Sequence, residues 1–161
     1  MNTLKWFVFA ATLLSSHTFA QSIQLKQVYA LDTKTAQLLM QAAQQQCQKI
    51  NQNIAVVVVD QGGNPLVAQR HESVGPHNLA AAEKKAYSAL STKTPTLILS
   101  QNAHENSDAK NLTTVSSLLL LGGGAPIFYQ KQLVGAIGVA GAGGAKNDHL
   151  CAVSAIEAVV K

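Results

Sequence analysis

Four histidines lie beyond residue 20 of this 161-residue chain, and histidine is the side chain best suited to both metal binding and acid–base chemistry. They are His71, His77, His104 and His149. His77 follows Gly75-Pro76 at the predicted start of a helix, and we predict that it is a metal ligand. The alternative is that His77 caps the helix or faces solvent. His104 and His149 are expected to be exposed.

Two basic residues near these histidines could hold an anion. Arg70 ends a predicted strand beside His71, and its guanidinium could bind a carboxylate through two parallel hydrogen bonds. It could equally pair with Asp60 or Glu72. Lys85 lies on the following helix and would serve an anionic ligand if it pointed into a pocket. We therefore predict a small-molecule site formed by Arg70, His71, His77 and Lys85.

A glycine run, Gly122-Gly123-Gly124, would let a ligand or another backbone approach closely, so Gly123 and Gly124 join the predicted ligand-binding residues. The spacing matches neither GxGxxG nor a Walker P-loop, and nucleotide binding is not expected. The chain contains neither HExxH nor GxSxG, so hydrolase chemistry is not indicated. No residue can be assigned a catalytic role from these patterns.

The first 20 residues have the composition of a cleaved secretory signal. Lys5 precedes an apolar run from Trp6 to Leu14, and small residues follow up to Ala20. The run is too short for a membrane span, which needs roughly 20 apolar residues. Residues 21–161 are then expected to form one domain of a periplasmic or secreted protein.

The charge and the cysteines narrow the class of protein further. Lys and Arg total 12 against 8 for Asp and Glu, and they form no cluster, so nucleic acid is not an expected partner. Small anionic molecules remain suitable partners. The two cysteines, Cys47 and Cys151, would meet if the first and last helices packed antiparallel, and an exported protein could oxidise them to a disulfide. Two buried free thiols are the alternative.

The hydrophobic pattern predicts the elements that must position these residues. Turn signals at Gly62-Gly63-Asn64-Pro65 and at residues 130–132 indicate two hairpins. The segment 101–114 is polar and is predicted to be a loop. Helices are predicted at residues 32–50, 79–90, 95–100 and 148–160, and strands at 54–59, 66–70, 127–129 and 133–140. This order predicts an α+β domain with an antiparallel sheet and helices on its faces.

Three stretches of the sequence resemble the GlcG/HbpS (DUF336) family. Val57–Arg70 (VVVDQGGNPLVAQR) is similar to the family's strand–turn–strand signature, residues 75–80 (GPHNLA) with 84–89 (KKAYSA) to its helix motif, and residues 122–127 (GGGAPI) with 134–142 (VGAIGVAGA) to its last hairpin. The three stretches occur in the family's order and span most of residues 32–160.

The resemblance implies a profilin-like or PAS-like α-β-α sandwich with an antiparallel sheet of about five strands, commonly assembled into homo-oligomers. It also implies haem as the cofactor, because family members include exported haem-binding proteins with haem-degrading behaviour. We therefore predict an exported haem-binding protein in which His77 holds the iron, with haem degradation as a second expected property. The alternatives are a small-carboxylate-binding enzyme or accessory protein, and a non-catalytic oligomeric structural protein.

Overall fold

The computed structural model describes residues 23–161, and the predicted signal sequence at residues 1–20 lies outside them. The helices are α1 (Thr33–Gln48), α2 (His77–Thr92), α3 (Thr96–Glu105), α4 (Ser107–Lys110) and α5 (Ala145–Val159), with a 3-10 helix at Asn111–Thr114. The strands are β1 (Ala55–Val59), β2 (Pro65–Arg70), β3 (Gly124–Tyr129) and β4 (Gln132–Ala140).

The strands form one antiparallel sheet in the order β2-β1-β4-β3. Within the described residues the sheet has four strands, against the five or so that we expected. The buried run of valines in β1 lies between two neighbouring strands, as predicted for a strand covered on both faces. The predicted α+β class with two hairpins is confirmed.

Helices cover both faces of the sheet and make an α-β-α sandwich. Because successive strand side chains point to opposite faces, β1 contributes to two separate cores. The core shared with α1 and α5 contains Val56, Val58, Ile127, Ile137 and Val139. The core shared with α2 is smaller and contains Val57, Val59, Ala82, Ala86, Ala136 and Ala140.

A disulfide joins the two helices that share one face. Asp32 caps the start of α1 by accepting a hydrogen bond of 2.8 Å from the Thr35 amide, and hydrogen bonding from the side chain and the amide of Thr35 holds the pKa of Asp32 below its ordinary value. Cys47, near the end of α1, is bonded to Cys151, near the start of α5, with 5.5 Å between the Cα atoms. The predicted antiparallel packing and pairing are confirmed.

The helix α2 packs directly on the backbone of the sheet. A Cβ atom placed on Gly138 would overlap the carbonyl oxygen of Ala82, and one on Gly124 would overlap that of Lys85. These strand glycines are therefore explained by the close approach of a helix. The carbonyl groups of α2 would be displaced by any larger residue at these positions.

The polar segment after Pro95 contains more helix than we predicted. The helix α3 continues to Glu105 instead of ending near Ser100, and α4 and the 3-10 helix follow it. Few residues of α3 are buried, so this segment lacks the apolar stripe by which a helix is recognised in a sequence. Across residues 23–161, no helix is both long enough and apolar enough to cross a membrane.

Candidate functional site

Arg70 fixes the loop that leads from β2 into α2. One of its terminal nitrogens donates hydrogen bonds to the backbone carbonyls of His71 (3.1 Å), Glu72 (3.4 Å) and Val74. Arg70 therefore pairs with neither the Asp60 nor the Glu72 carboxylate, the two partners considered from the sequence. The carboxylate of Asp60 accepts hydrogen bonds at the β1–β2 turn instead. Arg70 therefore shapes the loop by holding its carbonyl groups.

His71 lies half-exposed in this loop and is held by its own neighbour. Its Nδ1 atom is 2.8 Å from the hydroxyl of Ser73 and accepts a hydrogen bond of 3.2 Å from the Ser73 amide. The ring borders a cleft of about 190 Å³ whose other polar walls are amide side chains of α1 and the α1–β1 loop, among them Gln44, Gln48 and Gln52.

His77 is the first residue of α2, and its side chain is exposed. Its ring lies over Gly75: a Cβ atom on that glycine would be 3.0 Å from the His77 Cε1 atom. The side-chain amide of Asn78 donates a 3.1 Å hydrogen bond to the Gly75 carbonyl and fixes the turn. A glycine is thus needed before Pro76 for the imidazole to occupy this position.

The turn before His77 borders a polar groove of about 270 Å³. Gly75 contributes to one wall and Gly141, which directly follows β4, to another. The remaining walls are mostly amide and hydroxyl side chains: Asn51, Gln52, Asn53, Ser73 and Asn78. The structure therefore brings the His77 turn and the end of the last hairpin to one groove, whose walls can both donate and accept hydrogen bonds.

Lys85 does not line this groove. Its ammonium group is 2.8 Å from an Asp148 carboxylate oxygen and 3.0 Å from the Val139 carbonyl, and its side chain is 1% exposed. Gly123 and Gly124 pack beside the same lysine. Our prediction that these three residues bind a ligand finds no support in this arrangement, because all three are part of the protein interior.

The accessible cation of α2 is the preceding residue, Lys84, which our sequence analysis did not select. Its ammonium group donates a 3.1 Å hydrogen bond to the Ser116 carbonyl. Lys84 and Ala80 border a second groove, of about 300 Å³, together with Tyr87. Because residues three and four apart share a helix face, His77, Ala80 and Lys84 form one outward stripe. The spacing of three residues from His77 to Ala80 and of four from Ala80 to Lys84 was a signal in the sequence that could have identified this stripe.

The two remaining histidines differ in environment. His104 is exposed, as expected. His149 is half-buried, contrary to our prediction, and its Nδ1 atom is buried without a hydrogen-bond partner among the described residues. Burial lowers the pKa of His149 below its ordinary value of 6.5. No group of three or more His, Cys, Asp or Glu side chains within residues 23–161 is placed to hold a metal ion by itself.

A larger cavity, of about 440 Å³, lies at the other end of β4. Tyr29 and Tyr129 border it with their rings in an edge-on contact, 5.0 Å between centroids. Leu31, Val134 and the last residues of the chain complete its walls. The cavity contains no histidine and is separated from the His77 groove by the length of the sheet.

These features define a small α-β-α sandwich with a polar groove beside an exposed histidine at a helix start. Residues 31–157 match the family described as haem degrading protein HbpS-like, and the chain belongs to that family. The resemblance to the GlcG/HbpS family seen in the sequence is confirmed.

Solved structures agree with this assignment. A double mutant of HbpS from Streptomyces reticuli superposes with a TM-score of 0.79 at 30% identity, covering 89% of this chain and 97% of that one. A haem complex of PduOC superposes with a TM-score of 0.72 at 26% identity, covering 83% of this chain and all of that one (100%). Protein GlcG of Escherichia coli K12 is 27% identical over 115 residues, 71% of this chain and 84% of GlcG.

Proposed function

We propose that this protein binds haem outside the cytoplasm and that His77 is the ligand of the iron. The observation that carries the proposal is the exposed imidazole of His77 at the head of the α2 stripe, beside a groove rich in hydrogen-bonding groups. Histidine is the commonest protein ligand of haem iron. Membership of an HbpS-like family and the likeness to a haem complex of PduOC support haem as the ligand.

The residues around His77 fit a porphyrin. Ala80 is one turn further along α2 and offers a small apolar side chain on which a flat macrocycle could rest. Lys84 and the amides of the polar groove, Asn51 and Asn78 among them, could bind the two propionates. When bound, haem would supply a redox-active iron, and we propose that haem degradation by this protein depends on that iron rather than on a catalytic side chain.

The cellular location is part of the proposal. The predicted signal at residues 1–20 would direct the chain to the periplasm or the medium. The Cys47–Cys151 disulfide supports an oxidising compartment, where such bonds persist. Expression in a bacterial host, followed by fractionation and mass spectrometry, should find an exported chain that begins at Gln21. A chain that keeps residues 1–20 in the cytoplasm would contradict this part of the proposal.

The alternative function, binding of a small carboxylate, depended on Arg70 and Lys85, and both side chains have other partners. The guanidinium of Arg70 holds backbone carbonyls, and the ammonium of Lys85 is buried beside Asp148. Neither side chain is free to bind a small acid in this arrangement. No feature of the described residues favours that function over haem binding.

Haemin titration followed by absorption spectroscopy tests the role of His77. The wild-type protein should shift the Soret band, and His77→Ala should weaken binding by about ten-fold or more. The matched control is His104→Ala, which removes an exposed histidine from α3 and should leave the affinity unchanged. Equal binding by both variants would mean that haemin associates with the surface without His77.

The propionate contacts can be tested separately with haemin dimethyl ester, in which both acids are blocked. Lys84→Met should weaken the binding of haemin by about three- to ten-fold and leave the binding of the ester unchanged. A Lys84→Met variant that weakens both ligands equally would show that Lys84 acts through the shape of α2 and not through its charge.

A further inference from the structure

The cavity of about 440 Å³ near the start of β4 is large enough for a small organic molecule. We call it the tyrosine cavity, because Tyr29 and Tyr129 both border it. Pockets that bind small molecules have volumes of roughly 300–1,000 Å³ and mostly apolar walls. The groove beside His77 is smaller, about 270 Å³, and polar. The tyrosine cavity is therefore a second place for a ligand, and it suits a different chemistry.

The apolar walls of the tyrosine cavity belong to the uncovered end of the larger core. Leu31, Tyr129, Val159 and Val160 pack against the core that α1 and α5 share with the sheet, but they are only partly buried. Val134 lies beside them and is 4% exposed. An apolar ligand body would cover these side chains, and the burial of apolar surface is favourable.

Hydrogen bonds hold one wall of the cavity in place without a ligand. The Tyr29 amide donates to the Gln132 side chain (3.3 Å), and the Tyr29 carbonyl accepts a hydrogen bond from Gln61 (3.1 Å). The Tyr29 hydroxyl donates to Gln130 (2.8 Å). A site that is already formed lowers the cost of ordering side chains when a ligand binds.

The two tyrosine rings favour a positively charged ligand. The ring planes of Tyr29 and Tyr129 are nearly perpendicular, at 82°, with 5.0 Å between their centroids. The face of an aromatic ring carries partial negative charge and attracts an ammonium group, and sites for organic cations are commonly built from several such rings. Two tyrosines at one cavity therefore supply part of a cation site.

Asp32 adds a full negative charge to the same cavity. Its carboxylate is oriented by the 2.8 Å hydrogen bond from the Thr35 amide, and hydrogen bonding from Thr35 keeps its pKa low, so it is ionised at neutral pH. Within residues 23–161, Asp32 forms no salt bridge. Lys161 also borders the cavity, but it is exposed and its long side chain can extend its ammonium group into solvent. The oriented charge at the cavity is therefore negative.

We propose that the tyrosine cavity binds a small organic cation with an apolar body, of the arylalkylamine class. The ammonium group would lie between Asp32 and the tyrosine rings, and the apolar body would cover Leu31 and Val134. Asp32 disfavours an anion, and the apolar walls disfavour a sugar or another strongly polar molecule. The inference does not depend on haem binding, because the tyrosine cavity and the groove beside His77 share no lining residue.

The class of ligand is tested with three probes of similar size on the exported protein labelled with nitrogen-15. 2-Phenylethylamine carries a positive charge, 2-phenylethanol replaces the charge by a neutral hydroxyl, and 3-phenylpropionate carries a negative charge. Titration followed by NMR should shift the amide signals of Leu31, Val134 and Val160. The protein should bind the amine about five-fold or more tightly than the alcohol, and the anion more weakly than either.

The role of the carboxylate is tested by Asp32→Asn. Asparagine is as good a helix cap as aspartate, so the start of α1 is kept while the charge is removed. The affinity for 2-phenylethylamine should fall by about three- to five-fold, and the affinity for 2-phenylethanol should not change. Asp108→Asn is the matched control, because it removes an exposed carboxylate outside the cavity and should leave both affinities unchanged.

The role of the ring is tested independently by two substitutions of Tyr129. Tyr129→Phe keeps the aromatic face and should bind 2-phenylethylamine as the wild type does. Tyr129→Leu removes that face and should weaken the amine by about three-fold, and the alcohol less. Far-ultraviolet circular dichroism should show that both variants are folded.

Three results would overturn the proposal. The first is a wild-type protein that binds 2-phenylethylamine no more tightly than 2-phenylethanol, or whose shifted amide signals lie outside the tyrosine cavity. The second is a folded Asp32→Asn variant whose affinity for the amine equals that of Asp108→Asn. The third is displacement of the amine by haemin, which would show that the cavity is part of a haem site and not a separate one.

Discussion

The ammonium group of Lys85 on α2 lies 2.8 Å from a carboxylate oxygen of Asp148 on α5. Because these helices cover opposite faces of the sheet, the pair links the two outer layers beside the start of β3. The lysine also donates to the Val139 carbonyl, and the second Asp148 oxygen accepts a 2.8 Å hydrogen bond from the Ala142 amide. Both charges are thus buried with several partners.

Removal of the lysine charge should be costly. Lys85→Met leaves the Asp148 carboxylate buried without its cation, and we expect the free energy of unfolding to fall by about 3–5 kcal/mol. Urea unfolding followed by circular dichroism measures the change. The matched control is Lys84→Met, on the exposed side of the same helix, which should change stability by less than about 0.5 kcal/mol. Equal effects at the two lysines would contradict a structural role for the buried pair.

The contact between α2 and the sheet should not tolerate a methyl group. We expect Gly138→Ala to destabilise the protein by about 3 kcal/mol, because the new Cβ atom would displace the backbone of α2 at Ala82. Thermal unfolding measures the loss. Gly62→Ala is the control, since the nearest neighbour of its Cβ atom, at 2.8 Å, is the rotatable side-chain amide of Asn64. A Gly138→Ala protein as stable as Gly62→Ala would show that α2 can move away easily.

Reduction of the disulfide should destabilise the domain strongly. The Cys47–Cys151 bond has a sequence separation of 104 residues. Closing a loop of that size lowers the conformational entropy of the unfolded chain, which raises the free energy of unfolding by about 4 kcal/mol. Guanidinium unfolding with and without dithiothreitol should show this difference. The double variant Cys47→Ser with Cys151→Ser should be less stable than the oxidised protein and insensitive to dithiothreitol. A stability that dithiothreitol leaves unchanged in the wild type would contradict the prediction.

The stability of the protein should fall in mild acid because of His149. Burial lowers the pKa of this histidine in the folded state below 6.5, its ordinary value, so the unfolded chain binds a proton more readily. The neutral ring of His149 therefore makes its full contribution to the free energy of unfolding above pH 6.5, and this contribution declines as the pH falls below that value. Unfolding free energies measured from pH 7.5 downward should decline less in His149→Leu than in wild type, with His104→Leu as the exposed control. Identical slopes in all three proteins would exclude His149 as the cause.

The sequence predicted the elements that have a strong hydrophobic period. α1, β1 and the two hairpins were predicted close to their observed bounds, because each combines a clear apolar pattern with a clear turn or capping residue. The segment around α4 was predicted as a loop, since a helix with few buried residues shows no such pattern. Local periodicity therefore identified the elements that build the core and missed those on the surface.

The candidate site was predicted less completely, because the sequence shows neither which way a side chain points nor which distant residues it contacts. Sequence spacing placed two adjacent lysines on α2, but only the packing of Asp148 on the far side of the sheet shows that Lys85 is the buried one. A glycine within a strand is compatible with the close approach of either a ligand or a helix, and the contact with Ala82 decides for the helix at Gly138. Both questions depend on residues more than 50 positions apart in the chain.

The absence of side chains between α2 and the strand glycines limits how the domain can respond to a ligand. A helix that rests only on side chains can slide or turn as those chains change rotamer, whereas α2 also contacts backbone directly at Gly124 and Gly138, where no side chain separates it from the sheet. The position of α2 on the sheet is therefore closely fixed at these two glycines. If occupancy at its first turn changes the rest of the molecule, the change must pass through the loops at the two ends of α2. One is the β2–α2 loop, which Arg70 holds, and the other is the short turn at residues 93–95, where the Lys93 amide donates to the Leu90 carbonyl.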